Sequence, residues 1–283
     1  MIKLGIHRIG VQASALCAGL VWACSSGAME AEPTHLREFA AYQAAFAKGD
    51  LSATIEHART AWQAAELELG DSATTAILAY NYARSSFAYA DVRDSAAAAY
   101  RRTLALSESG ISDFRIADLQ IGLLELNLQG QGQEEAALQL ETLLWERRRE
   151  RLPPTDLSAH AWKSLATEQL RQLDLASAAR HAGIAADEAR ALSPQDPELL
   201  SETQLINAVA LLSDKHCVDN PEQIDQAIEH LEQVIALVSS FPDHPTMAER
   251  NRTASRWLAS AQQLAERVRR SRSHVNAKYW PRR

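Results

Sequence analysis

Four metal-competent side chains fall within six residues in the stretch Asp214-Lys215-His216-Cys217-Val218-Asp219. Zinc accepts sulfur, nitrogen and oxygen donors, so Asp214, His216, Cys217 and Asp219 form a candidate ligand set. A metal site, however, usually draws its ligands from two separated segments. One short loop with mixed donors is more often a solvated helix connection, with Cys217 a spare thiol or a small packed hydrophobe. His57, His160, His181 and His230 sit in alanine-rich stretches with no carboxylate at a telling spacing, which predicts surface or interface positions for them. Gly130-Gln131-Gly132 lacks both the preceding strand and the lysine of a phosphate cradle, and neither G-x-S-x-G nor H-E-x-x-H occurs. The expectation is a chain with no catalytic residues, no cofactor and no bound metal.

The elements that would position such residues are helices. The chain has 283 residues, 46% hydrophobic and 6% aromatic, and good helix formers dominate while β-branched runs are scarce. Helices are expected in pairs. The first runs over about Leu36–Ala47, turns at Gly49-Asp50 with Asp50 as N-cap, and continues over Leu51–Leu67. The second covers about Ser72–Ala90 and Arg93–Leu106. The third has Ile121-Gly122 on its first helix and Ala136, Leu140 and Leu143 on its second, closed by Pro153-Pro154. A fourth lies between those prolines and Pro194. The fifth spans about Pro197–Ser213 and Pro221–Ser239. A last helix over about Thr246–Arg270 puts Ala254, Trp257, Leu258, Ala261 and Leu264 on one stripe, with charge around the rest.

The fourth pair carries the sharpest pattern: Trp162-x2-Leu165-Ala166-x11-Ala178-x3-Ala182-x2-Ala185. The three alanines at i, i+4 and i+7 share one helix face, which lets two antiparallel helices approach closely while Trp162 fills the space beside them. This resembles the tetratricopeptide repeat, a stacked helix pair used as a binding surface. Following the first small position along the chain gives Thr54, Ala96, Ala136, Ala178 and Ala227, separated by 42, 40, 42 and 49 residues. Those periods exceed the roughly 34 residues of the family and overlap those of HEAT-type helical repeats. The fold expected is all-α, a right-handed superhelical solenoid of about five irregular tetratricopeptide-like pairs over residues 29–270, with a capping last helix. Trp62 and Trp145, late on second helices, are expected beneath the next pair or in the groove.

The leader and the charge pattern suggest an address. Residues 1–28 read as an export signal: Lys3 and Arg8 precede a 13-residue apolar run. Val21-Trp22-Ala23-Cys24 resembles the lipobox of bacterial lipoproteins, which would make Cys24 the acylated residue. Cleavage after Ser26-Gly27-Ala28 and an uncleaved anchor are the alternatives. With Cys24 lipidated, the resemblance implies an outer-membrane anchor. Formal net charge is −7, but residues 24–266 hold 20 basic against 36 acidic side chains while residues 267–283 hold seven basic and no acidic ones. An acidic body points away from nucleic acid. The basic tail, residues 271–283, suits a solvated helix end or contact with acidic headgroups or an acidic protein. The function these readings imply is a non-catalytic scaffold of the cell envelope. It would bind a peptide or partner helix in the concave groove of the array. The alternative is a helical ligand- or metal-binding domain with its site near His216-Cys217.

Overall fold

Helices begin in this chain where the sequence supplies an oxygen for the unpaired N–H groups of the first turn. Asp50 accepts from Ala53 N–H, Ser72 from Thr75, Asp174 from Ser177, and Asp196 from both Glu198 and Leu199. Thr155 and Ser158 form a reciprocal capping box. Pro197 and Pro221 occupy first-turn positions, where no N–H is needed. Four helices end in a left-handed residue whose neighbours close the paired 6→1 and 5→2 hydrogen bonds. Glycine fills that position at Gly49 and Gly110, but Arg151 (φ 55°) and Leu173 (φ 63°) fill it elsewhere.

The computed structural model describes residues 32–279, apart from residues 88, 129–132 and 194, and gives only the backbone course of residues 272–279. Cys24, the rest of the leader, the Gly130-Gln131-Gly132 connection and residues 280–283 lie outside the described part. The described residues form α-helices and one 3-10 turn, with no strand among them. They divide into two compact units, meeting in sequence at Leu126 and Asn127.

The first unit holds α1 (Thr34–Lys48), α2 (Leu51–Leu69), α3 (Ala73–Ser85), a 3-10 turn (Ala90–Val92), α4 (Arg93–Glu108) and α5 (Ile116–Asn127). α1 packs on α2, α2 on α3 and α3 on α4. Tyr42, Tyr82, Tyr100, Leu119 and Leu126 are buried in its core. Trp62 stacks on Tyr82 with centroids 5.6 Å apart, which puts it beneath the next pair. α3 ends at Ser85, five residues before the expected Ala90, because the chain turns at the fully buried Ser86 and re-enters helix only after the 3-10 turn.

The second unit holds α6 (Gln133–Arg149), α7 (Asp156–Arg171), α8 (Leu175–Ala191), α9 (Pro197–Ser213), α10 (Pro221–Val238) and α11 (Pro245–Tyr279). Each packs on the next, and α9 also touches both α7 and α11. The first helices of two successive pairs and the last helix therefore stand side by side. α11 continues through residues 271–279, so that part of the basic tail is helical; Pro281 is the first proline in the sequence after Pro245.

The expected register recurs. The second helices bury Thr54, Ala58 and Ala61; Ala96, Tyr100 and Thr103; Ala178, Ala182 and Ala185; and Ala227, Leu231 and Val234. In α6 the set is Ala136, Leu140 and Leu144, one residue beyond the expected Leu143. Helix contact through i, i+4 and i+7 is one ridge of a helix surface, and a shift of one residue keeps it within the same packed face.

Candidate functional site

The predicted loop donors do not converge. Asp214 Oδ1 accepts from His216 N–H at 2.9 Å, and this bond above all holds the Asp214 carboxyl below its ordinary range. His216 and Asp219 are about 70–80% exposed, with Nδ1 and Oδ2 3.8 Å apart. Cys217 is 4% exposed and packs against Ile224, Ala265 and Val268, its thiol directed at the Leu212 carbonyl. Burial pushes that thiol's pKa up. The turns after Asp214 bring Cys217 into the α10–α11 core and leave His216 and Asp219 in solvent, with Asp214 partly exposed. Of the two readings of Cys217, the packed hydrophobe is the one the geometry matches.

Donors gather elsewhere, between α7 and α9. Asp156, the first residue of α7, and His160, four residues on, lie on one helix face with Nε2 and Oδ1 3.6 Å apart. Asp196, the N-cap of α9, completes the group, and one ligand atom from each residue lies within 4.8 Å of the others. This corrects the expectation that the histidines lack carboxylate partners. The i, i+4 spacing of Asp156 and His160 was visible in the sequence. The third member comes from 36 residues away and needed the α7–α9 packing.

Other histidines are paired as well. His57 Nδ1 meets Glu38 Oε2 at 2.9 Å, His35 pairs with Glu68, and His244 Nδ1 stands 3.4 Å from Glu198 Oε1. His181 is fully buried, with Nδ1 2.6 Å from Gln169 Oε1, Nε2 3.2 Å from Glu141 Oε1, and its ring against Trp162 and Trp145. Burial, opposed mainly by the Glu141 charge, lowers its pKa. His230 accepts from Asn207 Nδ2 at 3.2 Å and is lowered mainly by burial.

The signature residues Trp162, Leu165, Ala166, Ala178, Ala182 and Ala185 are each fully buried. Trp162 meets Trp145 edge to face at 5.2 Å, so both tryptophans are packing residues between α6 and α7. The polar side chains of the first-helix layer are laced together: Lys163 Nζ lies 3.4 Å, and an Arg250 guanidinium nitrogen 3.7 Å, from the same Glu202 carboxylate oxygen. Along α9, Glu202, Ile206, Val209 and Ser213 follow at helical spacing and remain partly or fully exposed. A groove of about 750 Å³ lies between the end of α10 and α11, with Val238, Phe241 and Pro242 on one side and Arg252 and Arg256 on the other.

No protein-family model and no curated protein sequence matches this chain. No helix among the described residues is long and apolar enough to cross a membrane. The likeness to tetratricopeptide repeats thus rests on residue pattern and helix order alone.

Proposed function

We propose that the chain is a non-catalytic interaction scaffold of the bacterial cell envelope, its helix pairs being of tetratricopeptide-like type. The observation that carries this reading is the α9 stripe. α9 is flanked by α7 and α11 in one layer, yet Ile206 and Val209 stay half-buried beside Glu202. Two β-branched side chains at i and i+3, next to a carboxylate held by Lys163 and Arg250, form a small apolar anchor site with a polar margin. A partner helix or extended peptide is bound by a few such anchors, while the surrounding charges set its orientation. The leader and Cys24 support placement at the outer membrane, through acylation of that cysteine, in this same reading.

The test is position-specific photo-crosslinking in the native cell. A crosslinker at Ile206 or Val209 is expected to capture the same envelope polypeptide, whereas one at the exposed Asp187 of α8 captures none. Equal labelling from all three positions, or silence at both α9 positions, refutes the assignment of this face. Intact mass of membrane-extracted protein, with Cys24→Ala as control, tests the anchor separately.

A further inference from the structure

We propose that Asp156, His160 and Asp196 form a binding site for one divalent metal ion of the zinc class. The three residues come from two helices, Asp156 and His160 from the first two turns of α7 and Asp196 from the cap of α9. A metal with N and O ligands at about 2.0–2.2 Å in tetrahedral array holds its donors roughly 3.4 Å apart. The 3.6 Å between His160 Nε2 and Asp156 Oδ1 is close to that, and the remaining separations are at most 4.8 Å, so binding draws the donors together by roughly 1.4 Å or less.

The surroundings hold the ligands in place. His160 is 7% exposed, which restricts its ring, while Asp156 and Asp196 are half-buried and leave the site open to solvent. One oxygen of Asp196, Oδ1, accepts from Glu198 N–H at 2.8 Å and Leu199 N–H at 3.1 Å. These two bonds anchor one side of the Asp196 carboxylate, outer-shell support of the kind that orients a metal ligand.

Electrostatics argues both ways, and magnitudes decide. Two helix N-termini point toward the cluster, each equivalent to about half a positive charge, against two full negative charges on the carboxylates. The balance still favours a dication, although it weakens binding relative to a site away from helix ends. Ligand type then selects the metal. One imidazole and two carboxylates suit zinc, cobalt, nickel or manganese, whereas calcium asks for six to eight oxygens. Three protein ligands leave at least one coordination position for water or for a carboxylate of another molecule.

The full-length protein, stripped with a chelator and freed of it, is titrated with zinc chloride by calorimetry. Cobalt chloride titration, followed by its visible absorption, reports the ligand field independently. One equivalent is expected, together with a rise in melting temperature with zinc. His160→Ala should weaken binding at least tenfold and abolish the tetrahedral cobalt band. Asp196→Asn keeps an N-capping oxygen, so it should weaken binding while leaving the metal-free melting temperature nearly unchanged. His216→Ala should change nothing. The absence of saturable binding overturns the assignment, as does binding lost in His216→Ala and retained in His160→Ala. If His160→Ala fails to fold, Asp196→Asn and Asp156→Asn decide: unweakened binding in both overturns it.

Discussion

Replacing Trp162 with alanine should destabilise the second unit by about 3 kcal/mol, within the roughly 3–5 kcal/mol usual for a buried aromatic truncated to alanine. Trp162 is fully buried against Trp145 and His181. Truncation removes roughly 150 Å² of apolar burial, which at about 25 cal/mol per Å² is ~4 kcal/mol. Against this, the indole Nε1–H is buried without a hydrogen-bond partner among the described residues, and losing such a group returns about 1 kcal/mol or more. Trp162→Phe keeps most of the ring and drops the unpartnered N–H, so it should cost roughly 1 kcal/mol. Hydrogen exchange of α7 and α8 peptides, combined with urea unfolding followed by circular dichroism, reads the effect on this unit. A loss under about 1 kcal/mol for the alanine variant, or equal losses for both variants, would sink the packing argument, because it rests on ring volume alone.

Three further outcomes follow from geometry. A Cβ at Gly122 would lie 2.7 Å from three atoms of the buried Tyr100 side chain. Gly122→Ala should therefore destabilise by about 1–2 kcal/mol despite gaining roughly 1 kcal/mol of helix propensity, with chemical denaturation as the readout. Leu173 holds φ 63° at a helix end while 78% exposed; Leu173→Gly should stabilise by roughly 0.5–1 kcal/mol, since relief of left-handed strain exceeds the added freedom of the unfolded chain. Burial lowers the pKa of both His181 and His230, so below about pH 6.5 the unfolded chain takes up protons that the folded one refuses. Stability is then highest above that pH and falls as pH drops toward the folded values, by at most about 1.4 kcal/mol per pH unit per group. His230→Gln should flatten this slope in melts between pH 7 and 5, and an unchanged slope would count against a titrating His230.

The scaffold was legible because repeated packing leaves a repeated residue pattern. Five markers 40–49 residues apart all proved buried, and Pro197 and Pro221 start their helices where they were expected to. Small residues at helical spacing have few uses except close helix approach, so that pattern carries over from sequence to structure. The early end of α3 was hidden because Ser86 gives no break signal in sequence, and its burial is a tertiary property. The alternative site at Asp214–Asp219 does not assemble, for the opposite reason. Proximity in sequence suggested a ligand set, but the turns of this connection bury Cys217 and leave His216 and Asp219 exposed.

The metal-competent cluster could not be found from sequence in full because its members serve helix starts first. Asp196 is where it is because α9 needs a cap, and Asp156 sits in the first turn of α7, where an acid favours the helix dipole. Side-by-side first helices bring these N-terminal carboxylates together as a by-product of stacking. The same layer repeats the effect one step on, where Glu198 in the first turn of α9 faces His244 just before α11. Within this unit, then, acids at helix starts meet histidines at both the α7–α9 and the α9–α11 junctions. Only the α7–α9 junction adds a second carboxylate and a buried imidazole, so it alone has three converging donors among the described residues. The distinction is testable at once: zinc binding should depend on Asp156 and His160 and be indifferent to His244→Ala, even though His244 also has a carboxylate 3.4 Å away.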